Sequence, residues 1–237
     1  MPYDASSPPP PSTQSQPFFT APLIVIVMTV LLVALYAAYA FAPSGEQQAA
    51  LYDFALAPER FWAPAGSPNV YPDALSGLMT LLSTALLHGD WMHVIVNSLM
   101  LFAFGRPVAR TFGKGPTAWG LWMIVFSGSI IAGSVLYLAI ATVDSPWVVG
   151  ASGGTSGLVA AAGLLDSYGM KGKLWSRKFL AFTATFAAFN IGLIFLTFAA
   201  PYALGMGIAW EAHVGGYIAG AVLMSALPVK GYRVVQS

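Results

Sequence analysis

The chain has 237 residues, of which 57% are hydrophobic and 8% charged, with a mean hydropathy of +0.70. A water-soluble domain cannot clothe its surface with so little charge, so a membrane is the expected solvent. A net charge of +1 argues against a nucleic-acid partner, and the absence of cysteine excludes a disulfide framework.

In chain order, residues 1–19 carry Pro8 to Pro11 and scattered Ser and Gln. Such a segment cannot bury apolar surface and is expected to be a disordered cytoplasmic tail. Uncharged runs then occupy 21–42, 91–105, 115–143, 145–165, 179–210 and 212–229. A span needs roughly 17 to 25 residues, so the fold class is an all-α membrane protein with six transmembrane helices over residues 20–231. The second run is extended by the apolar Leu81 to Leu87 and Val108, and Pro201 is expected to end the fifth. Ala38-Tyr39-Ala40 mimics a signal-peptidase site, but the run before it is too long and no Lys or Arg precedes it. The absence of an Arg-rich amphipathic leader argues against organelle import, which leaves a bacterial inner membrane as the simplest home.

Orientation follows from the basic residues, which stay on the cytoplasmic side. Arg106, Arg110 and Lys114 follow the second run, Lys171, Lys173, Arg177 and Lys178 the fourth, and Lys230 and Arg233 the sixth. Only Arg60 falls on the other side. Both termini, including the short tail 232–237, are therefore expected in the cytoplasm, with 43–87, 144–149 and 201–209 outside. The long first external loop, 43–87, carries Phe61, Trp62, Tyr71 and the apolar stretch from Leu78, so it is expected to lie in the outer leaflet.

Polar groups within the spans are expensive and so mark candidate sites. His93, Asn97, Ser152, Ser156, Asp166, Asn190 and His213 are the ones to weigh. At about 1.5 Å of rise per residue, His93 stands roughly 20 Å above Arg106, Ser152 roughly 28 Å above Lys171 and His213 roughly 26 Å above Lys230. All three fall in the outer third, where water enters most cheaply. A serine hydroxyl needs a base within hydrogen-bond reach, and His213 can serve Ser152. Glu211 lies on the opposite helix face from His213, so a Ser-His dyad is expected. His93 and Asn97, four apart on one face, can point together at an oxyanion, and the Ser152 N–H at a helix start adds a third donor.

Gly153 and Gly157 on the fourth span, with Gly216 and Gly220 on the sixth, form small-xxx-small faces that let those helices approach closely. Ser156 in Gly154-Thr155-Ser156-Gly157 is a rival nucleophile one turn deeper. Asp166 can meet Lys171 or Lys173, Asn190 reads as a helix-packing residue, and Phe179, Phe182, Phe186 and Phe189 follow helical spacing. His88 and His93, five apart, diverge around a helix, so no metal and no cofactor is expected. Gly150-x-Ser152-x-Gly154 also spells the nucleophile elbow of soluble hydrolases, which the flanking spans exclude. A small transporter would show internal repeats with paired broken spans, and none is visible.

His88-Gly-Asp-Trp-Met-His93-Val-Ile-Val-Asn97, Gly150-Ala151-Ser152-Gly153, and His213 with Gly216 and Gly220, in this order on the second, fourth and sixth spans, resemble the rhomboid intramembrane serine proteases. The resemblance implies a rhomboid-like bundle with Ser152 as nucleophile, His213 as general base, His93 and Asn97 as oxyanion donors, and supporting roles for His88 and Gly150. It also implies transmembrane proteins as substrates, entering past the fifth helix and a gate at 201–209. The alternative is a catalytically silent relative that binds transmembrane helices as a scaffold. Two features depart from the family's pattern. Arg60 is not preceded by Trp, so the resemblance supplies no anchor for the first loop. Ser156 replaces the aromatic that often supports the histidine, so weaker support for His213 is expected.

Overall fold

The computed structural model describes residues 21–64, 66–199 and 208–232. The expected tail 1–19, nearly all of the expected gate 201–209 and the terminal residues from 233 lie outside these described residues. Within them the chain is almost entirely helical. In order come α1 (Leu23–Ala40), α2 (Ser44–Phe54), α3 (Pro58–Trp62), α4 (Ala74–Ser83), α5 (Trp91–Phe112), α6 (Pro116–Ile140), α7 (Ser152–Gly163), α8 (Arg177–Ala199) and α9 (Trp210–Ala226).

Local chemistry sets the helix starts. The Asp73 carboxylate accepts from the Ser76 N–H at 2.7 Å and begins α4, and Asp90 accepts from the His93 N–H at 2.8 Å and begins α5. Pro116, whose missing N–H costs nothing at a first-turn position, opens α6. Four helices, α1, α5, α6 and α8, are long and apolar enough to cross a membrane. Each of the six uncharged runs contains or largely coincides with one of α1, α5, α6, α7, α8 and α9, so the six-helix reading of the bundle stands.

One span differs from its expected form. The run 145–165 is helical only from Ser152 to Gly163, twelve residues or about 18 Å of rise, so the expected depth of roughly 28 Å above Lys171 is not reached by continuous helix. The physical reason lies in its surroundings. Every residue of α7 from Gly153 to Ala161 is buried, so the helix is walled off from lipid and is not held to the bilayer's thickness. Residues ahead of it are extended instead: Leu56 and Val148 exchange backbone hydrogen bonds of 3.0 and 2.9 Å, tying the first loop to the entry of α7.

The first loop, 43–87, is therefore built rather than irregular. Arg60 supplies the anchor that the sequence did not reveal. Only 3% exposed, its guanidinium lies over the rings of Tyr52 at 3.8 Å and Tyr71 at 3.9 Å and donates to the backbone carbonyls of Asn69 and Tyr52. On α4, Leu75, Leu78, Met79 and Leu82 face outward and exposed, as a helix lying against lipid requires.

On the opposite side of the bundle Asp166 accepts from the Tyr168 and Met170 N–H groups at 2.8 and 2.9 Å, ordering its own turn. The expected lysine contact is replaced by this turn, and Lys171 caps α9 by donating to the Ser225 and Leu227 carbonyls. The core is centred on α5, α6, α7 and α9. Trp122 of α6 is fully buried, stacks on Phe126 and donates to Gly105 O of α5 at 3.1 Å. Of the four long apolar helices, α8 is the least buried.

Candidate active site

Ser152 opens the candidate site. It is the first residue of α7 and half-buried, so its own N–H lies in a first turn where amides have no intrahelical acceptor. The turn that delivers it depends on Gly150, whose φ of +117° is strained for any side-chain-bearing residue. A Cβ there would also stand 2.6 Å from both Cε1 and Nε2 of His93, so the imidazole rests directly on this glycine. The Gly150 N–H donates to Thr84 O at 2.9 Å, fixing the turn from the first-loop side.

His93 lies in the first turn of α5. Its Nδ1 accepts from the Gly89 N–H at 3.4 Å, a long contact, but one that leaves the proton on Nε2, the nitrogen against Gly150. Asn97, one turn on and 3% exposed, donates from Nδ2 to His93 O at 3.0 Å, and its Oδ1 lies 3.4 Å from the Thr155 hydroxyl of α7. The His93 carbonyl, which can only accept, sets the sense of the amide and turns Oδ1 toward Thr155, a residue not singled out from the sequence, whose hydroxyl also lies 3.1 Å from the Ser152 carbonyl. The second Nδ2 hydrogen remains for a ligand. His88 sits just before α5, 1% exposed, its ring 5.0 Å from that of His93.

The base candidate arrives on α9. Gly153 lies against Ala212, where an added Cβ would stand 3.4 Å from the carbonyl oxygen, and Cβ atoms on Gly216 and Gly220 would collide with the backbones of Gly153 and Gly157. The seam between α7 and α9 is therefore backbone on backbone, and it brings the neighbours of Ser152 and His213 into contact. His213 Nδ1 lies 2.7 Å from Asn190 Oδ1 on α8. Asn190, for which the sequence leaves packing or a bond to a neighbouring helix, makes such a bond to the ring itself, so His213 is supported even though Ser156 replaces an aromatic. Ser156 itself is buried at 6% exposure. Among the described residues no cluster of three or more His, Cys, Asp or Glu side chains could hold a metal ion.

A family model described as the Rhomboid domain matches residues 76–228, which takes in every one of these site residues. The chain belongs to the rhomboid family. That family is of the intramembrane-protease type, and a multi-pass membrane rhomboid accords with the apolar helices described above. A direct search of curated proteins gives no match to this rhomboid.

Proposed function

We propose that this rhomboid is an active serine endopeptidase that cleaves transmembrane segments of other membrane proteins. The observation that carries the reading is the position of the Gly150 turn, which lies beneath the His93 ring while the next turn, at Gly153, lies against the helix of His213. Ser152 attacks the scissile carbonyl as His213 accepts its proton, forming an acyl-enzyme and a tetrahedral oxyanion on the way. The Ser152 N–H, His93 Nε2–H and Asn97 Nδ2–H stabilise that oxyanion. His213 returns the proton to the leaving amine, then activates a water that releases the acyl group and restores the hydroxyl.

A helical substrate hides its carbonyls in intrahelical hydrogen bonds, so it must unwind locally, and weak helix formers such as Gly or Ser near the cut favour this. Entry is lateral, past α8. Both termini face the cytoplasm, with the site toward the outer surface of a bacterial inner membrane.

The test uses purified protein in detergent with a model transmembrane substrate and a fluorophosphonate probe. Wild type and Ser156→Ala are expected to cleave and to label at Ser152, whereas Ser152→Ala and His213→Ala do neither. Asn97→Ala should lower kcat by on the order of 10²- to 10³-fold, the usual cost of one oxyanion donor. Cleavage that survives Ser152→Ala rejects the nucleophile, and a wild type that neither cleaves nor labels favours the helix-binding scaffold.

A further inference from the structure

We propose that Asn190 is a positioning residue that selects the tautomer and the orientation of His213; its catalytic consequence rests on the protease reading above. Asn190 is 5% exposed in an apolar helix, a place where an amide persists only if its hydrogen-bonding groups are satisfied. Its Nδ2 donates to the Phe186 carbonyl at 2.9 Å. A carbonyl can only accept, so this contact fixes the amide's sense and turns Oδ1 toward His213. Oδ1 also can only accept, so at 2.7 Å the ring nitrogen Nδ1 must carry the hydrogen. The lone pair of the neutral ring is then on Nε2, the nitrogen left for a serine proton.

The arrangement is the reverse of that at His93, where Nδ1 is the acceptor and Nε2 the donor. Two like rings are thus set to opposite tasks by their Nδ1 partners, a backbone N–H for one and an amide oxygen for the other. A neutral amide does this without placing a second charge in the low-dielectric interior, where an uncompensated carboxylate is costly.

Neighbouring contacts hold the amide in register. Thr183, Phe186 and Asn190 form one stripe along α8, and His213 and Tyr217, four apart, form the facing stripe on α9. The Phe186 and Tyr217 rings stack with centroids 4.2 Å apart, and the Thr183 and Tyr217 hydroxyls lie 2.8 Å apart. The Asn190 bond therefore continues a series of contacts between the two helices up to the level of the base.

The experiment uses the full chain in detergent with histidine side chains labelled with ¹⁵N, and His213→Gln supplies the assignment. At neutral pH the wild-type His213 is expected to show Nδ1–H with an unprotonated Nε2, and Asn190→Ala to shift the ring toward the Nε2–H form. With the model substrate, Asn190→Ala should lower kcat about 100-fold, within the range that a well-set general base contributes, while KM changes less than about twofold. Asn190→Asp, which keeps an acceptor oxygen facing Nδ1, should restore most of the rate. A wild-type His213 protonated on Nε2, or an Asn190→Ala protein with unchanged kcat, overturns the assignment, as does a loss confined to KM. An inactive wild type that nonetheless shows Nδ1–H would sink the protease reading and leave the role of Asn190 toward His213 standing.

Discussion

At the residue scale, His88 bears the largest electrostatic strain outside the spanning helices. Burial, reinforced by the neighbouring His93, pushes its pKa from the usual 6.5 down to about 3, and neither ring nitrogen has a hydrogen-bond partner among the described residues. Between those two pH values the unfolded chain binds a proton that the folded chain refuses. Stability is therefore complete above about pH 6.5 and drains away as the pH falls toward 3. Thermal unfolding in detergent from pH 7.5 to 4 should show a falling midpoint in wild type and a flatter profile in His88→Leu. A profile as steep in the variant as in wild type would assign the acid sensitivity to other groups. The same scale shows what could be read in advance. Ser152, His213, His93 and Asn97 stood out because polar groups are rare in apolar spans and four-residue spacing puts two of them on one face. Asn190 was also among those polar groups, but its partner was not legible, since a lone amide on a helix looks the same whether it binds a neighbour's backbone or a histidine 23 positions away. Thr155 and Arg60 gave still less warning: one hydroxyl among several, and a cation whose two aromatic partners lie in different parts of a long loop.

At the scale of elements, the meeting of α7 and α9 was legible and the length of α7 was not. Glycines at four-residue spacing on two spans announce close approach, and Gly153, Gly157, Gly216 and Gly220 do lie in the seam. Hydropathy, however, cannot separate residues that are apolar because lipid surrounds them from residues that are apolar because protein does. The uncharged run 145–165 therefore looked like a complete span. Crowding at the seam makes a graded prediction. A Cβ on Gly157 would overlap the Ser129 side chain, whose hydroxyl has no partner among the described residues, and would stand 3.0 Å from Gly216 O. Gly157→Ala should cost about 1 to 3 kcal/mol, as overpacking commonly does, and Ser129→Gly should recover part of the loss. Gly220→Ala meets the Gly157 backbone, which no side-chain deletion can clear, so no comparable rescue is expected. Unfolding midpoints of wild type, Gly157→Ala and Gly220→Ala, each with and without Ser129→Gly, decide this, and equal rescue at both sites would contradict the backbone seam.

For the whole molecule, composition alone led to a helical membrane bundle, and the count of uncharged runs led to its six main helices. The helices of the first loop escaped notice because α2 and α3 lack a strong apolar period and are tied in place by Arg60 and by the bridge between Leu56 and Val148. Orientation makes a prediction at this scale. The native chain has no cysteine, so single cysteines report cleanly. In intact cells a membrane-impermeant maleimide should label Ser67→Cys and Ser145→Cys, and should reach Lys114→Cys and Lys173→Cys only after lysis. The reverse pattern would invert the proposed topology.

The glycine joint between α7 and α9 also has a mechanical corollary. With no side chains interposed, there are no rotamers to shuffle, and the spacing of the two helices is set by bonded geometry and van der Waals radii. Warming or a change of lipid can loosen softer contacts elsewhere while this gap hardly changes. Such a hinge-free splice fails by parting altogether rather than by drifting.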